Sequence, residues 1–431
     1  MKQALAPRLS AIARWLAVAM VAGLGMALPA WADESSAASS GSPLPAAGPS
    51  GLKFSGFGTL GYWLSNGPDD LRFRRELGQN IPRLEHHHER ADSRLGLQLN
   101  YQASDKLEWV GQVVAREKAD SRVFNSVEWA FLKYHPTQDT QLRLGRVGLD
   151  LFMLSDYRSV GYAYNWVRPP TEFYGWIPFY SIDGGDVVKA IPVGEGQLKV
   201  KVFGGQTKSA MPWGADSYKL RADIGGLGVT WESDEWRLRA FHTRLKFKDN
   251  APYGDLIPYL QAAAPVWPGG AQYIDDLQLQ GQRLSYSVLG AAWDHDGWQV
   301  SSEVAFTGAS TTFAPQGTTA YVSVGHRFDK WVPYVSFARS WDSSKLELTA
   351  PPISALDAVA ANIQYAYTST HTRQYTASGG VRWDFADRMA LKLQWDRTVV
   401  AADSTQMWGL GPVVWNGGAK HVWSATLDFT F

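Results

Sequence analysis

From Leu52 to the C-terminus the chain is a series of two-residue repeats joined by connectors that are alternately very short and long. In DSRLGLQLNY (Asp92 to Tyr101), Leu95, Leu97, Leu99 and Tyr101 share one face, while Arg94, Gly96, Gln98 and Asn100 share the other. The same alternation runs through QLKVKVFG, GWQVSSEVAF, RMALKLQW and the terminal HVWSATLDFTF. Strict alternation marks strands with two unlike faces, not helices. Sixteen such stretches begin near Leu52, Asp92, Lys106, Asn125, Thr140, Ile182, Gln197, Arg221, Glu235, Arg283, Gly297, Thr318, Trp331, His371, Arg388 and Lys420. QASD, PTQD, VGEG, ESD, DHD, FDK and FADR close alternate pairs. About 26, 30, 35 and over 20 residues follow the first, fifth, ninth and thirteenth strands.

A soluble β-sandwich gives its two ends no reason to differ for sixteen strands. An antiparallel up-and-down barrel crossing a membrane does, with tight turns on one side and large loops on the other. The expected fold class is therefore all-β: a transmembrane antiparallel barrel of about 16 strands. Each strand is long enough to cross a bilayer when tilted, and closure pairs every backbone polar group without help from water. An even strand count places both termini on the short-turn side, expected to be periplasmic. Aromatic residues make 13% of the chain. Trp63, Trp109, Trp231, Trp298, Trp331, Trp383 and Trp423 lie where interfacial girdles are expected.

The N-terminus fits export. Lys2, Arg8 and Arg14 precede an apolar run from Trp15 to Leu28, and Ala30-x-Ala32 fits a signal-peptidase site. Residues 1–32 read as a cleaved signal peptide and 33–50 as a flexible Ser/Pro/Ala-rich leader, leaving 51–431 for the barrel. Cleavage removes three of 41 basic groups and none of the 41 acidic ones, so the mature formal charge is −3 and implies no nucleic-acid partner. There is no cysteine, hence no disulfide framework.

With its signal peptide, its lack of Cys, its strand count, its long third loop and a terminal Phe on an alternating strand, the chain from Leu52 to Phe431 resembles the Gram-negative general porins. The resemblance implies a water-filled channel in the bacterial outer membrane for passive diffusion of small hydrophilic solutes and ions. It also implies a homotrimer among outer-membrane lipid and lipopolysaccharide, and a third loop (about 150–182) folded inward. Trp423, Phe429 and Phe431 would form the signal read by the barrel assembly machinery. In SIDGGD, residues Gly184, Gly185 and Asp186 match a third-loop stretch of that family, Pro-Glu-Phe-Gly-Gly-Asp, whereas the three residues before them do not.

Function in such a barrel lies in what lines and narrows it. The third loop is too aromatic to hang in water, and its charges Asp150, Asp156, Arg158, Arg168, Glu172, Asp183 and Asp186 are the candidate constriction groups. Alternation points Arg94, Arg116, Lys199, Lys201, Arg237, Arg239, Arg382 and Lys392 into the lumen, because a charge facing mid-bilayer lipid costs about 2–4 kcal/mol. Basic wall and acidic loop would set a transverse field with weak anion preference, diluted by Glu108, Glu128, Glu303 and Asp396. Arg237 and Arg239 are expected to carry selectivity. The run His86 to His88 lacks a further ligand at metal-site spacing, and no catalytic motif appears. No cofactor, metal or enzymatic activity is expected. The alternatives are a channel selective for sugars or organic anions, an outer-membrane phospholipase or protease, and an adhesin.

Overall fold

The computed structural model describes residues 51–66, 71–80, 87–120, 123–213, 216–402, 404, 407–410 and 417–431. The signal-peptide and leader assignments (1–32 and 33–50) and His86 lie outside the described residues. Sixteen strands form the barrel: β1 Gly51–Asn66, β2 Arg94–Ser104, β3 Leu107–Arg116, β4 Val127–Thr137, β5 Thr140–Gly148, β6 Ser181–Val193, β7 Gly196–Trp213, β8 Asp216–Glu232, β9 Trp236–Phe247, β10 Arg283–His295, β11 Trp298–Ala309, β12 Gly317–His326, β13 Trp331–Asp342, β14 Arg373–Ala386, β15 Met389–Val400 and β16 Gly418–Thr430. Each pairs antiparallel with its sequence neighbours, and β1 pairs with both β2 and β16, which closes the sheet.

The seam is held at its end by the last residue. Phe431 N–H donates to Gly56 O at 2.9 Å, and Gly56 N–H donates to Phe431 O at 2.8 Å. A Cβ at Gly56 would run into the Phe431 ring, so glycine is what lets the terminal aromatic lie flat on β1. Along β16 the alternation resolves as expected: Trp423 and Phe431 are exposed outward, while Ser424, Thr426 and Asp428 are buried inward.

At one end the strands are joined by tight turns. Asp296 and Gly297 both have positive φ (47° and 81°), as do Asp329 (53°) and Arg388 (58°) in the turns that follow. Successive positive φ values match the twist of a two-residue hairpin. At the other end lie the described residues of the connectors 67–93, 117–126, 149–180, 248–282, 310–316, 343–372 and 401–417. These loops carry the short helices and the 14-residue helix Asp357–Thr370. The outward face is apolar, with Leu52, Phe54, Leu144, Val202, Leu227 and Val335 all well exposed. That is the face a membrane-spanning barrel presents to lipid.

Fifteen of the sixteen strands begin within two residues of the positions expected from alternation. The sixteenth, β8, starts at Asp216 instead of Arg221, because β7 and β8 run on as a long hairpin paired from Glu232↔Gln197 to Asp216↔Trp213. Only residues 214–215 join them, so the alternation of short and long connectors is broken here. Trp63 is not a girdle residue. It is 1% exposed and points inward, its ring 5.3 Å from Phe73 and stacked 6.1 Å from His88. Trp109, Trp298 and Trp331 do face outward near the tight-turn end, and Trp331 stacks on Trp383 at 5.0 Å.

Candidate functional site

The connector from 149 to 180 lies against the inner wall, and its crest is bound to β14–β16 and β1–β2. Lys392 Nζ, at 0% exposure, donates to Gly161 O at 2.6 Å and Trp166 O at 3.0 Å and pairs with Asp428 at 3.1 Å. Arg382 donates to Tyr162 O at 2.7 Å, and Arg94 to Ser159 O and Tyr164 Oη at 2.6 Å each. A side chain at Gly161 would collide with Asp428, Thr59 and Arg94, so only glycine brings the crest this close. Wall cations thus satisfy backbone carbonyls that a loop without regular structure leaves unpaired.

Arg168 extends the anchor, donating to Asp92 at 2.6 Å, to Asp396 at 2.8 Å and to Ser424 Oγ at 2.5 Å. Glu172 accepts from Gln374 Nε2 at 2.6 Å and from Thr376. Opposite, Glu303 on β11 accepts from Met153 N–H at 3.0 Å, from Tyr321 Oη at 3.0 Å and from Tyr174 Oη. Trp166 donates to Ser323 Oγ at 2.9 Å, and the Phe173 and Tyr321 rings meet edge-on at 5.2 Å. The aromatic content of the connector is buried between these walls.

Arg158 donates to Tyr174 O at 2.5 Å and lies 4.1 Å above the Tyr180 ring. Arg116, paired with Glu128, also lies over that ring, 3.4 Å from its centre. Between these arginines sits Glu76 of the first loop, 3.5 Å from Arg116 and 3.6 Å from Arg158. Burial alone would raise its carboxyl, but Arg116, Arg158 and Arg75 hold it at about 2.

The β5–β9 bank is different. Asp150 pairs with Lys201 at 2.7 Å and with Arg239, and Arg143 chelates Asp186. Beside them Glu232 joins Lys199 at 2.5 Å and Arg237 at 2.9 Å, and here the Lys199 and Arg237 side chains keep 29% and 32% exposure. Arg237 also donates to Tyr157 Oη at 3.2 Å. Asp156 on the connector is exposed and makes no ion pair with any described residue.

All eight basic wall residues occupy inward positions, but six of them are committed to loop or wall partners and little exposed. Asp183 and Asp186 do not belong to the third connector, because pairing of β5 with β6 begins at Ser181. Asp186 is a buried wall residue, whereas Asp183 points to the outer side, bound to Arg146 at 2.6 Å and 3.5 Å from Lys208. The Gly-Gly-Asp text is therefore strand, not loop tip. Asp150, Arg158, Arg168 and Glu172 are anchors buried within the barrel, and only Asp156 is left facing solvent. Glu232, Asp428, Asp92 and Glu76 join the set without having been expected in it. For Glu232 and Asp428 the signal is present in the sequence, since both share the inward parity of the basic residues they neutralise.

No family model matches this chain, and no curated protein matches it in sequence. Solved structures match it in fold. An anion-selective porin from Comamonas acidovorans superposes with a TM-score of 0.51 at 12% identity, covering 89% of this chain and 100% of that one. Salmonella typhi OmpF in complex with daunomycin gives 0.50 at 13% identity, covering 89% and 98%. Identities this low carry the architecture alone.

Proposed function

We propose that this chain is a porin-type channel of the bacterial outer membrane, not an enzyme, through which small hydrophilic solutes and ions diffuse passively. The observation that carries the reading is the pinned connector inside a closed barrel, beside which Lys199, Arg237, Glu232 and Asp156 keep solvent contact. The connector serves as the constriction, and these four groups are what a passing ion meets. The tight-turn end faces the periplasm, to which a cleaved signal peptide (1–32) delivers the chain. The loop end faces outward among lipopolysaccharide, and the functional unit is a homotrimer. Trp423, Phe429 and Phe431 form the assembly signal on the closing strand.

The dense packing of the third connector favours a narrow, solute-selective channel over a wide sieve. Single-channel recording on the folded protein in planar bilayers tests the proposal. Discrete conductance steps are expected, and a folded barrel that inserts without conducting would sink it. Deleting Phe431 is expected to lower the yield of folded barrel several-fold while the conductance of each surviving channel stays unchanged. A normal yield would remove the residue from the assembly signal.

A further inference from the structure

The outer wall carries a groove of about 720 Å³ at the loop end of β8–β11. Gly225 and Gly308 leave its floor open, and Arg244, Lys246 and Arg283 stand along it. All three cations are exposed on the outward face, whereas Thr243, Phe247 and Leu284 beside them are buried inward. None of the three makes an ion pair with a described residue. The register sets them close together: Lys246 is directly opposite Arg283, and Arg244 lies two residues back on the same face. Like charges placed directly opposite on a sheet repel. Asp223, the one carboxylate in the lining among the described residues, faces Lys246 from β8 but is bound to Lys248 at 3.2 Å. The fold thus gathers an excess of positive charge in one groove.

The height of the groove on the barrel says what it meets. Trp236 and Trp293 pair across β9 and β10 near the tight-turn end, their rings 6.1 Å apart. Lys246 stands ten residues along β9 from Trp236, and Arg283 ten residues along β10 from Trp293. Ten residues at about 3.4 Å each, tilted by about 40°, climb roughly 26 Å, which matches an apolar band about 25 Å tall. The cations therefore sit at the far edge of that band, at headgroup level. Between the two edges, Leu289 and Phe306 are exposed on the same outer face. A ligand that fills this place has a negative head and apolar chains that run on down the wall.

We propose that the groove docks a membrane lipid whose headgroup carries phosphate monoesters, held by Arg244, Lys246 and Arg283, with its acyl chains along Leu289 and Phe306. A phosphate monoester carries about 1.5 to 2 negative charges near neutral pH, so it balances this cluster where a singly charged phosphodiester leaves it in excess. The docking rests on the reading of the barrel's outer face as lipid-facing, and it is independent of conduction.

The test uses the purified barrel in micelles of a neutral detergent, titrated with lipid A, a glycolipid with two phosphate monoesters. Native mass spectrometry reads the lipid bound per barrel, with phosphatidylglycerol, a phosphodiester, as control at equal mole fraction. Lipid A is expected to bind at least about tenfold tighter than phosphatidylglycerol. The triple variant Arg244→Gln, Lys246→Gln, Arg283→Gln should weaken lipid A binding by about tenfold or more. The charge-matched triple Lys106→Gln, Lys330→Gln, Arg388→Gln, at exposed positions of the tight-turn end, should leave it unchanged. Without lipid the groove triple should melt no lower than the parent, because it relieves repulsion. If that triple fails to fold, Lys246→Gln alone carries the test, with a loss of about threefold expected. Equal affinity for phosphatidylglycerol, unchanged binding by the groove variants, or an equal loss in the charge-matched triple would overturn the proposal. Displacement of lipid A by equimolar inorganic phosphate would also overturn it, giving the groove to free phosphate. Conductance of the same preparation is read separately. A conducting barrel that ignores lipid A sinks the site alone, and a barrel that binds lipid A without conducting sinks the channel alone.

Discussion

The two banks of the inner wall use the same side chains to opposite ends. On β14–β16, Lys392 and Arg382 are spent on the carbonyls of Gly161, Trp166 and Tyr162 and are lost to solvent. On β7–β9, Lys199 and Arg237 are paired with Glu232 yet stay about one-third exposed. An inward charge is therefore not yet an accessible one. It becomes one only where the third connector leaves it uncovered.

The sharpest way to break this contrast is Lys392→Met. Removing one partner of a buried ion pair costs about 3–5 kcal/mol, because Asp428 and two carbonyls are stranded. A large fall in unfolding midpoint and a larger, noisier single-channel conductance are expected as the crest comes loose. A variant as stable and quiet as the parent would show that the anchor is dispensable.

Arg237→Gln should do the reverse, shifting the reversal potential toward cations by several millivolts while changing stability by under about 1 kcal/mol, as for partly exposed pairs. By sequence parity Arg239 should act with it, but its guanidinium is bound to Asp150 and mostly buried, so Arg239→Gln should disturb folding more than selectivity. If Arg239→Gln moves the reversal potential as far as Arg237→Gln with no loss of stability, the distinction between covered and uncovered cations fails. Asp156→Asn should shift the potential the other way, toward anions, and by less, since water screens an exposed carboxylate.

The smallest effect concerns Glu117, in the connector after β3, which belongs to neither bank. Burial raises its carboxyl to about 7, against the pull of Arg90. The folded state thus holds a proton that the unfolded chain has released. The stability this contributes is complete below pH 4.5 and is lost as pH rises through about 7. Glu117→Gln should be the more stable protein at pH 8, equal the parent near pH 4, and leave reversal potentials unchanged. A shift in selectivity would place Glu117 in the conduction path.

Much of the barrel is legible in the sequence because the pleat is local. Leu95, Leu97 and Leu99 declare their common face within five residues, and Asp296-Gly297 declares its own turn. The long β7–β8 hairpin is less legible, since its outer residues alternate no better than a loop would. Trp63 reads as a girdle residue but is not one, because the first and third loops cover the inside of β1, and an inward aromatic there meets protein, not water. Asp183 and Asp186 read as loop because GGD lacks large side chains and suits turn and strand equally well. Pairing with β5 decides it.

Taken alone, the sequence determined the strand count, the two faces of each strand, the tight-turn end and the closing role of WSATLDFTF. These follow from interactions between near neighbours, or between a strand and the solvent on either side of it. Only the tertiary structure decided which inward charges remain available. Lys392 and Gly161 are 231 positions apart, and no pattern along the chain announces that an ammonium on β15 will meet a carbonyl at a loop crest. That meeting depends on where the third connector comes to rest, and it separates a buried structural cation from one left open to solvent.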